Sequence, residues 1–273
     1  TTTAVPFLLI KLRKPENNML ITLGWVVLSL MKPPSAHSED MVLLPDGWFK
    51  PLYKSPDGVN KTAVPSFYID RYLVTNSEFT AFAEQNPKWN KRQKKTLFHD
   101  EKYLSHLSTG GTDIDQQPVT HVSWFAARAY CKSEGKRLPT IAEWEYMAAA
   151  SADKADGTRD AAYQSEILSW YAKPATATLP NVDETPVNFW GVYGAHGVVW
   201  ELVNDFNTGL VTGESRGDSQ LEQALFCGAG AASSVDPGDY AAFMRYALRS
   251  SYEADYTMAS LGFRCAKDKE KEQ

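Results

Sequence analysis

The stretch PVTHVSWFAARAYCKSEGKRLPTIAEWEYMAAAS, residues 118–151, carries the strongest structural signals in this chain of 273 residues. Ser123 is placed to cap a helix, because its hydroxyl can accept from a first-turn amide that has no other partner. Gly135 stands where a left-handed residue commonly ends a helix. Thr140 and Glu143 form the pattern of a capping box, and apolar residues follow at helical spacing. The stretch therefore predicts a short strand, a helix, a tight turn and a second helix folded back on the first.

Before this stretch, the chain predicts two strands and one further helix. Residues 41–49 indicate a strand that runs into a turn at 45–47, and residues 67–74 alternate in the manner of a strand. Thr75 and Glu78 form a second capping box, and the helix that it opens should end at Asn86, because a proline follows.

The remaining chain is rich in loops. Residues 88–117 and 151–162 are polar and are interpreted as surface loops, and from Ile167 onward short aromatic segments alternate with turns. The chain is 43% hydrophobic, which is enough for a sizeable core, and its 17 glycines and 15 prolines disfavour a helical bundle. We expect a single α+β domain that is poor in regular secondary structure.

The charge and the motifs narrow the class of protein. The net charge is −5, so a nucleic-acid partner is not expected. The one basic cluster, residues 88–95, is interpreted as a solvated surface, with a polyanion site as the alternative. The chain has no glycine-rich phosphate loop and no GxSxG element, so no nucleotide cofactor is predicted.

The N-terminal segment has the order of a secretory signal. Basic residues between Lys11 and Lys14 precede the uncharged run 19–31, and small residues follow at 34–38. The run is short for a membrane span, so no stable span is expected in the mature protein. The pattern predicts a periplasmic or secreted protein. A buried N-terminal strand or helix is the alternative.

The three cysteines, Cys131, Cys227 and Cys265, allow one disulfide with a free thiol, or no disulfide. No Cys/His spacing typical of structural zinc occurs.

Several segments together resemble the formylglycine-generating enzyme (sulfatase-modifying factor) family, in its bacterial branch. In chain order they are MVLLPDGWF, FYIDRYLVTNSEFTAF, the stretch quoted above, GVYGAHGVVWELVND and YALRSSYEADYTMASLGFRCAKD. The resemblance implies a compact, loop-rich α+β domain related to the C-type lectin fold. We expect this domain at residues 39–267, after a signal or N-terminal segment at 1–38 and before a disordered tail at 268–273.

The resemblance does not extend to the catalytic centre of the family. The family's enzyme oxidises a sulfatase cysteine to formylglycine with molecular oxygen, using two cysteines that bind copper(I). Those cysteines fall on Asp236 and Ala241 here, and the serine of a Gly-Gly-Ser segment falls on Gly230. Formylglycine synthesis is therefore not expected.

Other positions carry candidate roles. Cys131 and Cys265 match a structural disulfide of the family, with two buried thiols as the alternative. Cys227 lies beside the former catalytic segment and is the thiol proposed for copper, iron or redox chemistry, although a lone buried cysteine is usually a small hydrophobe. Arg245 and Arg249 are candidate catalytic residues, because guanidinium groups can hold a substrate carboxylate in two-point contact. Structural arginines are the alternative.

A calcium loop of the family, Asn-x-x-Gly-Asn-x-Trp-Glu, has a weakened counterpart here that lacks both asparagines. The carbonyls of Gly197 and Val199 and the carboxylate of Glu201 are the predicted oxygen ligands of a structural calcium ion. The alternative is that Glu201 pairs with an amide or an arginine. His196 is a candidate metal ligand, with a hydrogen-bonded structural role as its alternative.

Two functions fit these observations. The first is the oxidative maturation of an exported protein or of a siderophore-type small molecule, of the pyoverdine kind, held in a surface cleft. The second is a non-catalytic module that binds a partner protein or a glycan on the same fold.

Overall fold

Short helices and strands joined by turns and loops make up the computed structural model of the protein, as the composition predicts. The structure describes residues 40–52, 61–91, 97–108, 114–172, 178–206 and 240–270, which all belong to one compact unit, Pro34–Gln273. The α-helices in these ranges are α1 (Asn76–Gln85), α2 (Trp124–Ser133), α3 (Ile141–Ala148), α4 (Ala161–Tyr171) and α5 (Tyr240–Ser251). Among the described residues, no helix has both the length and the apolar character needed to cross a membrane.

The strands of these ranges are β1 (Met41–Leu44), β2 (Gly47–Phe49), β3 (Thr62–Val64), β4 (Phe67–Asp70), β5 (Trp200–Glu201), β6 (Leu261–Gly262) and β7 (Ala266–Asp268). An antiparallel sheet has the order β1-β4-β7, so that both ends of the domain pair with one central strand. β2 and β3 form an antiparallel pair, and β5 and β6 form a short parallel pair. The mixture of helices and small sheets confirms the α+β prediction.

The stretch at 118–151 forms the predicted helix pair. The Ser123 hydroxyl accepts from the Ala126 amide at the start of α2, and Gly135 follows the C-terminal cap with φ +68°. Thr140 and Glu143 form a complete capping box at the start of α3. The strand predicted before α2 is reduced to an isolated bridge between Pro118 and Thr75.

A disulfide connects α2 to the C-terminal segment, and a buried ion pair connects the turn after α2 to β4. The sulfur atoms of Cys131 and Cys265 are bonded, as the family resemblance implies. The Asp70 carboxylate accepts from the Cys265 amide at 2.9 Å and from Lys136 Nζ at 2.5 Å. Burial raises the pKa of Asp70 to about 6 and outweighs the opposing charge of Lys136. These contacts hold α2 against β4 and β7.

The core is built on aromatic side chains from α1, α2 and the end of the chain. The rings of Phe79, Phe82, Tyr130 and Phe263 lie with their centroids 5.4 to 6.1 Å apart. Edge-to-face pairs dominate, and this arrangement is favoured by the quadrupoles of the rings.

The structure corrects two predictions about surface loops and strands. The strand predicted at 67–74 ends at Asp70, since the Val74 amide donates instead to the Phe263 carbonyl outside any ladder. The segment 88–117 is not wholly a surface loop, because Trp89, Tyr103 and Leu104 are buried in the core. Their polar neighbours in the sequence concealed these anchors.

The aromatic segments predicted from Ile167 onward begin instead in a helix. α4 is capped by Asp160, whose carboxylate accepts from the amides of Ala162 and Tyr163. Tyr163 and Ile167 are buried four residues apart on one face. This spacing and the capping residue were the missed helix signals.

Candidate functional site

A cleft of about 240 Å³ lies between α3, α4, α5 and the segment that leads into β5. All the described residues for which a catalytic or metal role was predicted line it, namely Arg245, Arg249, His196, Gly197, Val199 and Glu201. Aromatic side chains complete the walls, with Trp144 from α3, Trp170 and Tyr171 from α4, and Trp200 from β5. The structure thus brings these predicted residues to one place. Cys227, Gly230 and Asp236 lie outside the described residues.

Two arginines of α5 share one glutamate of α3. Arg245 reaches both carboxylate oxygens of Glu145, with Nε at 2.9 Å from Oε1 and Nη2 at 2.7 Å from Oε2. Arg249 Nη1 donates to Oε1 of the same carboxylate at 2.5 Å. The arginines lie four residues apart on α5, so both guanidinium groups leave the same face of the helix.

The opposite charges of Glu145 and the two arginines shift the pKa values of Glu145 and Arg245. Burial alone would raise the pKa of Glu145, but the charges of Arg245 and Arg249 outweigh it and lower that pKa to about 2. Burial opposes the charge on Arg245, yet the neighbouring Glu145 carboxylate raises the pKa of Arg245. Glu145 and Arg245 are therefore ionised at neutral pH. With the guanidinium of Arg249, the cluster carries one net positive charge.

The ring of Trp144 makes cation–π contacts with both Arg245 and Arg249. Its ring centroid lies 4.7 Å from Cζ of Arg249 and 5.8 Å from Cζ of Arg245. The face of an indole attracts a cation through its quadrupole, so Trp144 helps to hold the guanidinium groups in the cleft wall.

A chain of hydrogen bonds extends the cluster to His196. Nη1 of Arg245 donates to the Tyr171 hydroxyl at 3.2 Å, and that hydroxyl lies 3.2 Å from Nδ1 of His196. Nε2 of His196 lies 2.9 Å from the Ala148 carbonyl, which can only accept. Nε2 therefore carries the proton, and Nδ1 accepts from Tyr171.

This arrangement makes His196 a neutral structural residue. Its burial, together with the charge of Arg245, lowers the pKa of His196 to about 3. Both ring nitrogens have hydrogen-bond partners. His196 therefore has the hydrogen-bonded structural role that was the alternative to metal binding. Within the described ranges, no group of three or more Asp, Glu, His or Cys side chains is arranged to hold a metal ion. The residues at His196 do not fit a bound copper or iron ion.

Glu201 is occupied by a different arginine. Arg264 donates from Nε to Oε2 at 2.7 Å and from Nη2 to Oε1 at 2.9 Å, and both side chains are fully buried. Val199 packs its side chain with Leu73 and Val182. Because both oxygens of the one predicted carboxylate ligand face a guanidinium group, the residues present do not fit a calcium ion. A calcium ion at Glu201 would have to displace Arg264.

Gly197 shapes the cleft through its backbone. It has φ +84°, and a Cβ atom there would lie 2.9 Å from the Trp170 ring. Only glycine suits both constraints, so its backbone can lie directly against the indole of Trp170.

Ala241, which stands where the resemblance places a catalytic cysteine, is buried against Tyr163 and Ile167 of α4. It offers neither a nucleophile nor a metal ligand at this point of α5.

Sequence reasoning missed Glu145, Tyr171 and Trp170 as parts of the site. The four-residue spacing of Arg245 and Arg249 was the available signal, since two cations on one helix face require an acidic partner when they are buried. Nothing in the sequence identifies Glu145 among the 33 acidic residues as that partner.

The fold and the site together define an α+β domain whose cleft is lined by aromatic side chains and arginines. A family model described as "Sulfatase-modifying factor enzyme 1-like domain" matches residues 28–269. The chain belongs to this family, and the resemblance seen in the sequence is confirmed.

Several relatives cover most of the chain. A formylglycine-generating enzyme of Streptomyces coelicolor is 33% identical over 265 residues, which cover 77% of this chain and 81% of the relative. The formylglycine-generating enzyme of Mus musculus is 27% identical, with 84% of this chain and 75% of the relative covered. A Bos taurus relative named "Inactive C-alpha-formylglycine-generating enzyme 2" is also 27% identical, with 83% and 87% covered.

Among solved structures, PvdO from Pseudomonas aeruginosa is similar with a TM-score of 0.46 and 19% identity. It covers 84% of this chain and 94% of its own.

Proposed function

We propose that the protein is a divergent member of its family that holds a small molecule or an exported polypeptide in the cleft for oxidative modification. It does not make formylglycine by the copper chemistry of a cysteine pair. The family membership supports an oxidative reaction, and the retained cleft supports a bound substrate.

One observation carries this proposal, the replacement of a reactive thiol by a packed alanine. Ala241 is 1% exposed and packs in an apolar cluster with Tyr163 and Ile167. A copper(I) centre of the family's kind needs two soft thiolate ligands, and one of them cannot be supplied at this position. The cleft presents cationic and aromatic groups instead, through Arg245, Arg249 and Trp144.

Export of the protein remains part of the proposal. The disulfide between Cys131 and Cys265 supports it, because such bonds form and persist in oxidising compartments. Copper or iron at Cys227 is retained as a candidate cofactor site for the same reaction.

A non-catalytic module that binds a partner protein or a glycan is the second candidate. The hydrogen-bonded chain from Glu145 through Arg245 and Tyr171 to His196 favours it, since each of these groups is already engaged in a structural contact. A relative that is named as an inactive formylglycine-generating enzyme supports a member that keeps the fold without that activity.

An assay for the aldehyde product tests whether the protein makes formylglycine. Purified protein is incubated aerobically with copper(I) and a cysteine-containing sulfatase peptide, and the aldehyde product is assayed by mass spectrometry. We expect no aldehyde, and its formation would overturn the proposal.

Metal analysis and oxygen uptake separate the oxidative function from the binding module. The same preparation is analysed for copper and iron, and oxygen consumption is recorded with and without each metal. Metal-dependent oxygen uptake that is lost in Cys227→Ala supports the oxidative function. Metal-free protein without oxygen uptake supports the binding module.

A further inference from the structure

We infer that the cleft recognises a planar monocarboxylic acid, with its carboxylate on Arg249 and its ring against the aromatic walls. This inference rests on the proposed function in one respect, since it names the ligand class of the same cleft. It follows from the charge balance, from the free donors of Arg249 and from the shape of the walls.

The charge balance of the cleft favours an anion. Arg245 and Arg249 face the single carboxylate of Glu145, and the other acid of the lining, Glu201, is already paired with Arg264 outside that cluster. The carboxylate of Asp205, on which the charge of Arg249 also acts, accepts from the Ile141 amide. One guanidinium charge of the cluster therefore has no ion-pair partner of its own in the described lining. A buried charge without a counter-ion is costly, so a ligand with one negative charge is stabilised there.

The two arginines differ in what they can offer. Arg245 uses all three of its nitrogens, on Glu145 and on the Tyr171 hydroxyl. Within the described ranges, the guanidinium of Arg249 makes its hydrogen bond through Nη1 only, to Oε1 of Glu145. Nε and Nη2 of Arg249 therefore retain donors, and two neighbouring N–H groups of one guanidinium match the oxygens of a carboxylate. Arg245 is a positioning residue, and Arg249 is the binding residue.

The walls of the cleft are planar groups. Tyr171 and Trp200 lie with ring centroids 4.6 Å apart, and Trp170 lies beside them on α4. Aromatic rings pack favourably against other aromatic rings in offset or tilted arrangements. A cavity of about 240 Å³ has room for a small ring system. A dianion such as phosphate is disfavoured, because the site supplies only one net positive charge.

The test measures binding of benzoate, 4-hydroxybenzoate and indole-3-carboxylate to the full chain by calorimetry, each compared with its neutral amide. We expect the acids to bind at least about tenfold more tightly than the amides, as charged hydrogen bonds require. Arg249→Gln should abolish this preference, and Arg249→Lys should retain part of it because the charge is kept.

Arg128→Gln is the matched control. Arg128 is exposed on α2 and also lies over an indole, with Cζ 5.3 Å from the ring centroid of Trp124, but it is not part of the cleft. Its replacement should leave the preference for acids unchanged.

Equal binding of acids and amides, or no binding of any probe, would overturn the inference. So would a preference that survives in Arg249→Gln. Binding needs neither oxygen nor a metal, so failure here is distinct from failure of the proposed oxidative function.

Discussion

Arg249 and Glu145 are joined by a hydrogen bond of 2.5 Å from Nη1 to Oε1, although 104 residues separate them in the chain. The bond connects α5 to α3, and Arg249 lines the cleft. The same contact therefore links two helices and fixes a cation in the wall of the cleft.

Replacing Glu145 should destabilise the fold. Glu145→Gln removes the only carboxylate bound to Arg245 and Arg249 in the described ranges, and we expect a loss of about 3–5 kcal/mol in the free energy of unfolding. Urea denaturation at pH 7 measures this loss. Glu166→Gln, at an exposed position on α4, is the control and should change stability by less than about 0.5 kcal/mol.

The difference between wild type and Glu145→Gln should also depend on pH. The pKa of Glu145 falls from 4.5 to about 2 in the folded protein. Its stabilisation, about 3 kcal/mol, is therefore complete above pH 4.5 and is lost as the pH falls toward 2. A difference that stays constant over this interval would contradict the assigned ion pairs.

The contribution of Asp70 to stability should have the opposite pH dependence to that of Glu145. Its pKa is raised from 3.8 to about 6 by burial, so its contribution to stability is complete below pH 3.8 and is lost as the pH rises through 6. Carbon-13 NMR of the labelled carboxyl group should give this pKa directly. Lys136→Met should raise it further, because the charge of Lys136 lowers it. A value below 4 in wild type would show that Lys136 and the Cys265 amide outweigh burial.

Removal of the disulfide should weaken the fold. Cys131 and Cys265 lie 134 residues apart, and the chain-entropy model assigns a closed loop of this length about 5 kcal/mol. Denaturation of Cys131→Ala/Cys265→Ala should show a loss of this order. Thiol titration of unfolded, unreduced wild type should give one free thiol per chain, and three would mean that the bond does not form.

Glu201 should behave as an ion-pair partner of Arg264. Glu201→Gln leaves a fully buried guanidinium without its counter-ion, so we expect a loss of about 3–5 kcal/mol. Millimolar calcium should not change the melting temperature of wild type, since Arg264 occupies both carboxylate oxygens. A calcium-dependent rise in the melting temperature would instead support the family's calcium loop here.

The parts of the fold that could be predicted are those with local causes. The caps at Thr75, Ser123 and Thr140 are set by side chains within three residues of the amides they bind, and all three were predicted. The ends of β4 and the burial of Trp89 depend on contacts with distant segments. No local pattern contains that information.

In the site, too, the features with local causes could be predicted and those that depend on distant segments could not. Arg245 and Arg249 could be proposed from the chemistry of their guanidinium groups, but Glu145, with which they pair, comes from a helix about 100 residues earlier. The metal roles predicted for His196 and Glu201 were read from motif position. Their actual partners, Tyr171 and Arg264, are brought there by the tertiary fold.

The central claim is that the cleft carries one uncompensated positive charge on Arg249. The acid-to-amide affinity ratio for 4-hydroxybenzoate, measured in Arg249→Gln and Glu145→Gln with folding verified by circular dichroism, tests it most directly. The ratio should fall in Arg249→Gln, which removes the binding cation, and rise in Glu145→Gln, which removes its neighbouring negative charge. Shifts in the same direction, or no shift in either variant, would contradict the claim.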